Sequence, residues 1–249
     1  LNKRRVIYDF IVISFLLGND FLPNLPMLKI KENGVNILLN IYTKMFRITE
    51  DPNTNYIVNE DKSLDVHMLE YFLNQLGRSQ NYFMRSKGME PETEKRKYYS
   101  ETFKTNSKQY IEKVMKKYIE GIHWVAQYYF HGISDYKWYY PYYHGIYSSD
   151  FKDIKKHESK TRCEYTDLEQ LVSVLPKQNL PDEYSNKIDL SIGYLFPEEF
   201  IIDERDKNIP EHARNAFIPF INDIDGDKLF NKLGVNNKSY YISQDKIYK

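Results

Sequence analysis

An isolated acidic residue, Asp20, lies in the stretch FLLGNDFLPNLP, which runs from Phe15 to Pro26. Apolar segments flank it on both sides, so we expect its carboxylate to lie near the protein interior. No lysine or arginine occurs between Arg5 and Lys29, and a poorly hydrated carboxylate is costly unless a cation compensates it. The pattern leaves two roles open. Asp20 either caps the backbone N–H groups of a turn, as is common for aspartate, or binds a metal ion.

A block of aromatic residues, YYFHGISDYKWYYPYYHGIY, spans Tyr128 to Tyr147 in a chain that has 23 tyrosines. This composition fits a loop packed by its own rings. It also fits a surface on which unstacked nucleic-acid bases lie, since each base gains about 1–3 kcal/mol on an aromatic face. Trp124, just before the block, falls within a regular apolar stripe and is expected in the core.

Other groupings of ligand-type residues lack the spacing that a metal site needs. Asp223, Asp225 and Asp227 follow calcium-loop spacing, but Lys228 stands where glycine is required and Gly234 where the final glutamate belongs. We therefore expect no calcium site there. The remaining candidate ligands occur singly: His123, His131, His144 and Cys163.

Hydrophobic spacing predicts a mainly α-helical chain with short strands and long irregular connections. Gly18, Gly77 and Gly132 stand where helix ends belong, and Ser63 is predicted to cap the third helix. The charged segment between residues 78 and 107 is poor in aliphatic side chains and is expected to be a mobile connector. The predicted helices are Arg5–Leu17, Gly34–Phe46, Leu64–Gly77 and Tyr110–His131, with two short helical turns around Pro219.

The composition narrows the class of protein. The 249 residues include 35 basic and 35 acidic side chains, so the net charge does not point to nucleic acid or membrane, although a balanced total can hide a basic groove. The single cysteine cannot form an internal disulfide and fits a reducing compartment. No apolar run approaches the roughly 20 residues that span a bilayer. The N-terminus has the pattern of a cut edge rather than a signal peptide. We expect a soluble intracellular fragment, cytoplasmic or nuclear, with no membrane partner.

The segment VIYDFIVISFLLGNDFLPNLPMLKI resembles the last acidic motif of the XRN-type 5′→3′ exoribonucleases, whose Gly-Asn-Asp-Phe-Leu-Pro sequence corresponds to Gly18–Pro23. A second region, Tyr118 to Asp150, resembles the conserved block that follows in the family. LEQLVSVLP and FPEEFIID…AFIPFIND continue the same order. The resemblance covers most of the chain from Arg5 to Asp223.

The resemblance implies that the chain is the C-terminal portion of a larger α/β PIN/FEN-like nuclease core. Members of the family hydrolyse single-stranded RNA with a 5′-monophosphate, using two Mg²⁺ ions, or Mn²⁺, held by acidic residues. Asp20 corresponds to one of these metal-binding and catalytic acids, and Asn19 is expected to support it. Trp138 corresponds to the ring that stacks on the 5′-terminal bases, whereas Tyr136 is expected to serve packing.

The chain also departs from the family in ways that limit what it does by itself. The other metal-binding acids and the pocket for the 5′-phosphate lie upstream in the family, so the N-terminal half of the same nuclease core is the expected partner. Asp9 does not match a family ligand, and Asn24 replaces the histidine usual between the two prolines. We therefore expect the isolated chain to be inactive.

The resemblance suggests four segments and leaves two alternatives open. Residues 1–46 close the active site, 47–107 hold a helix and the connector, 108–225 hold the long helix and the aromatic block, and 226–249 form a tail. One alternative is a non-catalytic RNA-binding or scaffold module derived from the family. The other is a flap-endonuclease-like DNA nuclease, which is disfavoured because no glycine-rich hairpin follows the Gly-Asn-Asp turn.

Overall fold

A computed structural model describes residues 2–47, 55–135, 138–155 and 157, together with residues 182, 201–202 and 217–218. The chain divides into two compact units, Leu1–Thr161 and Arg162–Lys249. Nearly all described residues lie in the first unit, which contains both the acidic turn and most of the aromatic block.

The described part of the first unit is mainly α-helical, as predicted. Short 3₁₀ turns link or extend the helices at Phe15–Leu17, Ile30–Glu32 and Ser148–Asp150. The helices are α1 Lys3–Ser14, α2 Gly34–Arg47, α3 Val66–Ser86, α4 Pro91–Thr102 and α5 Lys108–His131. None of them is long and apolar enough to cross a membrane.

Helix α1 begins and ends close to the positions predicted for it. The Asn2 side chain accepts a hydrogen bond from the backbone N–H of Arg4 at 3.0 Å and so caps the first turn. The helix passes into the 3₁₀ turn Phe15–Leu17, and Gly18 then takes a positive φ of 92°. Gly18 therefore ends the helical run, because L side chains rarely adopt this backbone conformation.

A buried carboxylate on α1 joins this helix to two other parts of the first unit. Asp9 is fully buried and accepts hydrogen bonds from the Tyr42 hydroxyl on α2 and from the backbone N–H of Val58, both at 2.7 Å. Arg5, one turn earlier, donates to the Val58 carbonyl at 3.2 Å and lies over the Tyr56 ring. Burial raises the pKa of Asp9 to about 6, even though these hydrogen bonds favour the charged form. Asp9 is therefore a structural residue, which agrees with the expectation that it is not one of the metal ligands.

Helix α3 differs from its predicted bounds at both ends. Asp65, not Ser63, is the cap, and its carboxylate accepts from the backbone N–H groups of His67 and Met68 at 2.9 and 3.0 Å. The helix then continues through Gly77 to Ser86. A Cβ at residue 77 would lie 2.6 Å from the backbone nitrogen of Ser149. Gly77 therefore permits a close approach of two segments and does not end the helix.

The prediction of a mobile connector between residues 78 and 107 is wrong for most of that segment, because residues 78–86 belong to α3 and residues 91–102 form helix α4. Pro91 occupies the first turn, where its missing N–H costs nothing. Lys95 is 7% exposed and contacts the carboxylate of Asp150 at 2.7 Å, and the Tyr99 hydroxyl donates to the same carboxylate. Burial by itself lowers the pKa of Lys95, but the hydrogen bond and charge of Asp150 outweigh it and leave the pKa raised. These buried polar contacts fix α4 to the segment that follows the aromatic block.

Helix α5 agrees with its prediction. The Ser107 side chain accepts from the backbone N–H of Tyr110, and Gly132 follows the last helical residue with a φ of 96°. One face of the helix lies in the core, where Trp124 is 7% exposed, as expected. The buried stripe comprises Ile111, Val114, Met115, Tyr118, Ile119, Ile122 and Val125.

The second unit contributes two short strands to the described residues. Strand β1, Ile201–Ile202, pairs with strand β2, Phe217–Ile218, in antiparallel register, and Ile201 lies opposite Ile218. These two strands agree with the expectation of short strands in the chain. The helical turns predicted around Pro219 are wrong at residues 217–218. Asp223, Asp225, Asp227 and Cys163 lie outside the described residues.

The burial of Asp9 predicts a specific pH dependence of stability. The folded-state pKa of about 6 lies above 3.8, the ordinary value for an aspartate side chain, so the folded chain holds this proton more tightly than the unfolded chain does. The free energy of unfolding should therefore fall as the pH rises from 4 through 6, by up to about 3 kcal/mol from this group. Asp9→Asn should remove the decline, as measured by urea unfolding at each pH.

The exposed carboxyl of Asp20 offers a matched control for this measurement. Asp20→Asn makes the same chemical change and should leave the decline in place. A difference in unfolding free energy between Asp9→Asn and the unsubstituted chain that stays constant from pH 4 to 7 contradicts the assignment.

Candidate functional site: an acidic turn held by an aromatic cluster

Asn19, not Asp20, holds the turn of the Gly-Asn-Asp sequence together. Its side-chain oxygen accepts hydrogen bonds from the backbone N–H groups of Phe21 and Leu22, at 2.8 and 2.9 Å. Its own backbone N–H donates to the Leu22 carbonyl at 2.9 Å. The turn also requires glycine before it, because a Cβ on Gly18 would lie 3.0 Å from the backbone nitrogen of Asn24. The result is a rigid turn with Asp20 at its tip.

The structure corrects the expectation that the Asp20 carboxylate lies near the interior. Asp20 is exposed, because its neighbours Phe21 and Leu22 make the apolar contacts that the flanking sequence indicated. The first of the two roles left open for Asp20 is also wrong, since Asn19 caps the turn. Among the described residues, no hydrogen bond or ion pair involves the Asp20 carboxylate. Its role as a metal ligand stays a prediction.

The amide nitrogen of Asn19 is the unusual atom of this turn. The two backbone N–H groups that point at the other end of the amide identify that end as the oxygen. The nitrogen is buried and has no hydrogen-bond partner within the described ranges. A buried donor without a partner costs about 1–3 kcal/mol. Asn19 holds the turn that carries Asp20, and its amide nitrogen is a further donor.

Aromatic residues of α5 pack against the turn that carries Asp20. The Phe21 ring meets the rings of Trp124 and Tyr128 edge-on, with centroids 5.0 and 5.1 Å apart. On the same helix, before these two residues, the hydroxyl of Tyr118 donates to the carbonyl of Pro23 at 2.8 Å. Aromatic edge-to-face pairs contribute about 0.5–1.5 kcal/mol each beyond the area they bury. The acidic turn is therefore seated on the C-terminal half of α5.

The proline segment after the turn is tied to two further elements. The Leu25 backbone N–H donates to the Leu16 carbonyl at 2.9 Å, and the Gln80 side chain on α3 donates to the Pro26 carbonyl at 2.7 Å. Asn24, between the two prolines, donates from its side chain to the carbonyl of Leu25 at 3.0 Å. Its contact is local and does not reach Asp20.

Trp138 lies in the same cluster as the acidic turn. Its ring stacks on Trp124 with centroids 4.9 Å apart and an interplanar angle of 21°. Trp124 is fixed by its own indole N–H, which donates to the Asp135 carbonyl at 3.0 Å. Trp138 is partly exposed, whereas Trp124 is buried. Tyr136 lies outside the described residues.

Gly121 is the point at which the turn and Trp138 meet. A Cβ at residue 121 would lie 2.6 Å from Leu22 and 3.0 Å from the Trp138 ring. The two predicted site residues thus belong to one packed assembly, with Asp20 two positions before Leu22. Sequence reasoning missed Gly121, Phe21 and Tyr128 as parts of the site. A glycine inside a long apolar helix was the signal, since it often marks a close approach.

The described residues do not assemble a metal site by themselves. They contain no group of three or more histidine, cysteine, aspartate or glutamate residues placed to hold an ion. The Asp20 carboxylate is the kind of hard oxygen donor that Mg²⁺ prefers, but Mg²⁺ takes about six oxygen ligands and needs others. Any centre that includes Asp20 must draw its remaining protein donors from outside these residues.

A family comparison accounts for most of the chain. The model of the Xrn1 helical domain matches residues 1–96 and 91–238. This match and the helical architecture define the chain as a domain of the Xrn1 helical type. The chain belongs to the XRN family, which includes 5′-3′ exoribonucleases 1 and 2.

Individual relatives give the same result. The chain is 23% identical to 5′-3′ exoribonuclease 2 of Arabidopsis thaliana. The alignment covers 83% of this chain and 32% of that protein. Human 5′-3′ exoribonuclease 1 is 25% identical over 88% of this chain and 17% of its own length. The Schizosaccharomyces pombe 5′-3′ exoribonuclease 2 is 34% identical over 51% of this chain and 14% of its own length. The chain thus spans about a third or less of these relatives.

The contact at Gly121 can be tested with one methyl group. Alanine normally stabilises a helix interior by about 1 kcal/mol relative to glycine. Gly121→Ala should instead lower the free energy of unfolding by about 1–3 kcal/mol, because the methyl group collides with Leu22 and Trp138. It should also change the tryptophan fluorescence of the folded chain. Lys113→Ala, an exposed site on the same helix, is the control, and a Gly121→Ala chain as stable as the unsubstituted one contradicts the close packing.

Proposed function

We propose that this chain is part of a 5′→3′ exoribonuclease that hydrolyses single-stranded RNA carrying a 5′-monophosphate. In this proposal Asp20 supplies one metal-binding carboxylate and Trp138 supplies a base-stacking ring. One observation carries the proposal. An outward-facing carboxylate without a partner among the described residues sits on a rigid turn that is packed into the same cluster as a partly exposed tryptophan.

The chemistry of the turn supports the role of Asp20. The Asn19 side chain accepts the backbone hydrogen bonds of the turn, so the Asp20 carboxylate does not cap it and faces outward. A divalent cation bound there, Mg²⁺ or Mn²⁺, would supply charge neutralisation and an activated water for phosphodiester cleavage. Rigid support is what such a donor needs, since metal-binding groups must be held to within about 0.5 Å. The buried Asn19 amide nitrogen is a further donor that has no partner among the described residues.

The remaining parts of such a site would come from the N-terminal half of the nuclease core. The described residues offer one suitable carboxylate and no cluster of ligands. The other acids and the pocket for the 5′-phosphate are therefore assigned to that half. The isolated chain should then hydrolyse no RNA.

The packing of Trp138 supports its role as a stacking platform. One face of the indole lies on Trp124, which is itself fixed by a hydrogen bond to Asp135. A ring that is backed on one side and partly exposed can receive a base without reorganising. Stacking of one base on such a ring stabilises a complex by about 1–3 kcal/mol.

A non-catalytic RNA-binding module is the second candidate, because the described residues hold no complete metal site. That candidate keeps the role of Trp138 and gives none to Asp20. Flap-endonuclease-like DNA cleavage is less favoured. Residues Ile30–Glu32 form a 3₁₀ turn directly before α2, where such an enzyme would place a glycine-rich hairpin.

Asp20→Ala should abolish Mg²⁺-dependent decay of 5′-monophosphorylated RNA by a longer enzyme that carries this chain. Its free energy of unfolding should change by less than about 0.5 kcal/mol, because the side chain is exposed. Glu60→Ala removes another exposed carboxylate and should leave decay unchanged. Decay that survives Asp20→Ala removes Asp20 from the metal site and favours the non-catalytic candidate or a different set of ligands.

Trp138→Ala should weaken binding of single-stranded RNA about 5- to 150-fold, which corresponds to the loss of 1–3 kcal/mol of stacking. Tyr139→Ala removes a neighbouring ring that is 62% exposed and should have a much smaller effect. Trp124→Ala should mainly cost stability, about 3–5 kcal/mol. Fluorescence anisotropy gives the affinities and thermal melting gives the stabilities. Equal binding losses at 138 and 139, or a loss of stability without a loss of binding at 138, would show that Trp138 is only a packing residue.

A further inference from the structure

A groove of about 880 Å³ lies between α4, the N-terminal half of α5 and residues 150–157. Its lining includes neither Asp20 nor Trp138. Aliphatic side chains of α5, among them Ile111 and Met115, contribute apolar surface, and Ile154 adds to it from the opposite side. Charged side chains surround this surface. The groove exists because α4 is an ordered helix rather than a mobile connector.

Most acidic side chains of the groove are paired with a lysine. Asp150 contacts Lys95 at 2.7 Å, and Glu92 contacts the same ammonium group at 3.1 Å. The other two pairs lie along α5: Glu112 with Lys116 at 2.6 Å and Glu120 with Lys117 at 2.7 Å. Because Asp150 and Glu92 share one ammonium group, these two acids and Lys95 keep one net negative charge, whereas Glu112 and Glu120 are each balanced by one lysine.

Four basic side chains of the groove have no such acidic partner. Arg96, Lys108, Lys152 and Lys155 are exposed, and among the described residues no carboxylate lies within ion-pair distance of them. Asp153 is the single lining acid without a basic partner in the same part of the chain. The described lining thus holds six lysine and arginine side chains against five acidic ones, a small positive excess in a chain whose net charge is zero.

The dipole of α5 adds to this positive charge. Lys108 is the first residue of the helix, so the N-terminal end of a 24-residue helix lies at the rim of the groove. A helix of this length carries a partial positive charge at that end. The four side chains and the helix end together form a surface suited to a polyanion.

We propose that this groove binds the phosphodiester backbone of single-stranded RNA, at a distance from the 5′ end that is being cleaved. The identity of the polyanion rests on the proposed function. An enzyme that removes nucleotides one after another from any sequence must hold the rest of the strand without reading it. Contacts from lysine and arginine to phosphates do this, because they are independent of sequence. The exposed cations along the groove fit that requirement.

The test measures RNA binding by the 249-residue chain, so that it does not depend on catalysis. The groove variant carries Arg96→Gln, Lys152→Gln and Lys155→Gln, three exposed positions at which folding should be preserved. A fluorescein-labelled oligouridylate of about 20 nucleotides is titrated by anisotropy at several salt concentrations. Each lost phosphate contact should lower the salt slope by about 0.7. The groove variant should therefore bind at least tenfold more weakly near 0.1 M salt and show a slope smaller by about 2.

The control variant makes the same change of charge outside the groove. It carries Lys44→Gln, Lys97→Gln and Lys113→Gln, which are exposed and do not line the groove. Lys97 and Lys113 lie on the same two helices as the groove residues. The control should bind RNA within about twofold of the unsubstituted chain. Circular dichroism confirms that both variants are folded.

Three outcomes would overturn the proposal. Equal losses of RNA affinity in both variants would mean that binding depends on the total charge of the chain. Unchanged affinity in the groove variant would mean that RNA does not bind in the groove. If oligoglutamate of matched charge displaces the RNA from the groove and binds as tightly, the groove is a site for acidic protein segments. Failure of the groove is distinct from failure of the proposed function, since the latter is read from the Asp20→Ala and Trp138→Ala measurements.

Discussion

The seating of the Gly18–Pro26 loop on helix α5 is the constraint on which the rest of the structure depends. The loop has no regular secondary structure of its own between the 3₁₀ turn and Pro26, so its shape comes from its contacts. Phe21 packs against two rings of α5, Leu22 lies against Gly121, and Tyr118 donates to the Pro23 carbonyl. Because Trp138 also packs against α5, the position of Asp20 and the position of Trp138 are set by one helix.

Much of the fold follows from sequence patterns, and the errors have physical causes. Helices α1, α2 and α5 were predictable because each carries a continuous apolar stripe that tertiary contacts do not alter. Helix α4 was not, because its apolar content is low. It is fixed by Lys95 and Tyr99, which meet Asp150 more than 50 residues away in the sequence. Gly77 was mistaken for a helix end because its actual role, a close approach to the segment around Ser149, depends on residues that are distant in sequence.

The candidate site shows the same division between local and distant information. The Gly-Asn-Asp motif indicated that Asp20 is special, and the local turn explains how Asn19 presents it. The exposure of Asp20 was not predictable, because flanking apolar residues suggest burial for every residue between them. Which rings lie beneath the turn was also hidden, since Phe21 and Trp124 are about a hundred positions apart. The balanced charge of the chain likewise concealed the local excess of cations in the groove.

The central claim is that the Asp20 carboxylate binds a divalent cation together with acids from the rest of the nuclease core. Anomalous scattering from Mn²⁺ tests this most directly, in crystals of a longer enzyme that carries this chain. The account predicts an anomalous peak with an Asp20 oxygen at about 2.0–2.6 Å, the range of bonds between hard cations and oxygen. A peak bound by other acids, with the Asp20 carboxylate turned to bulk solvent, would contradict it.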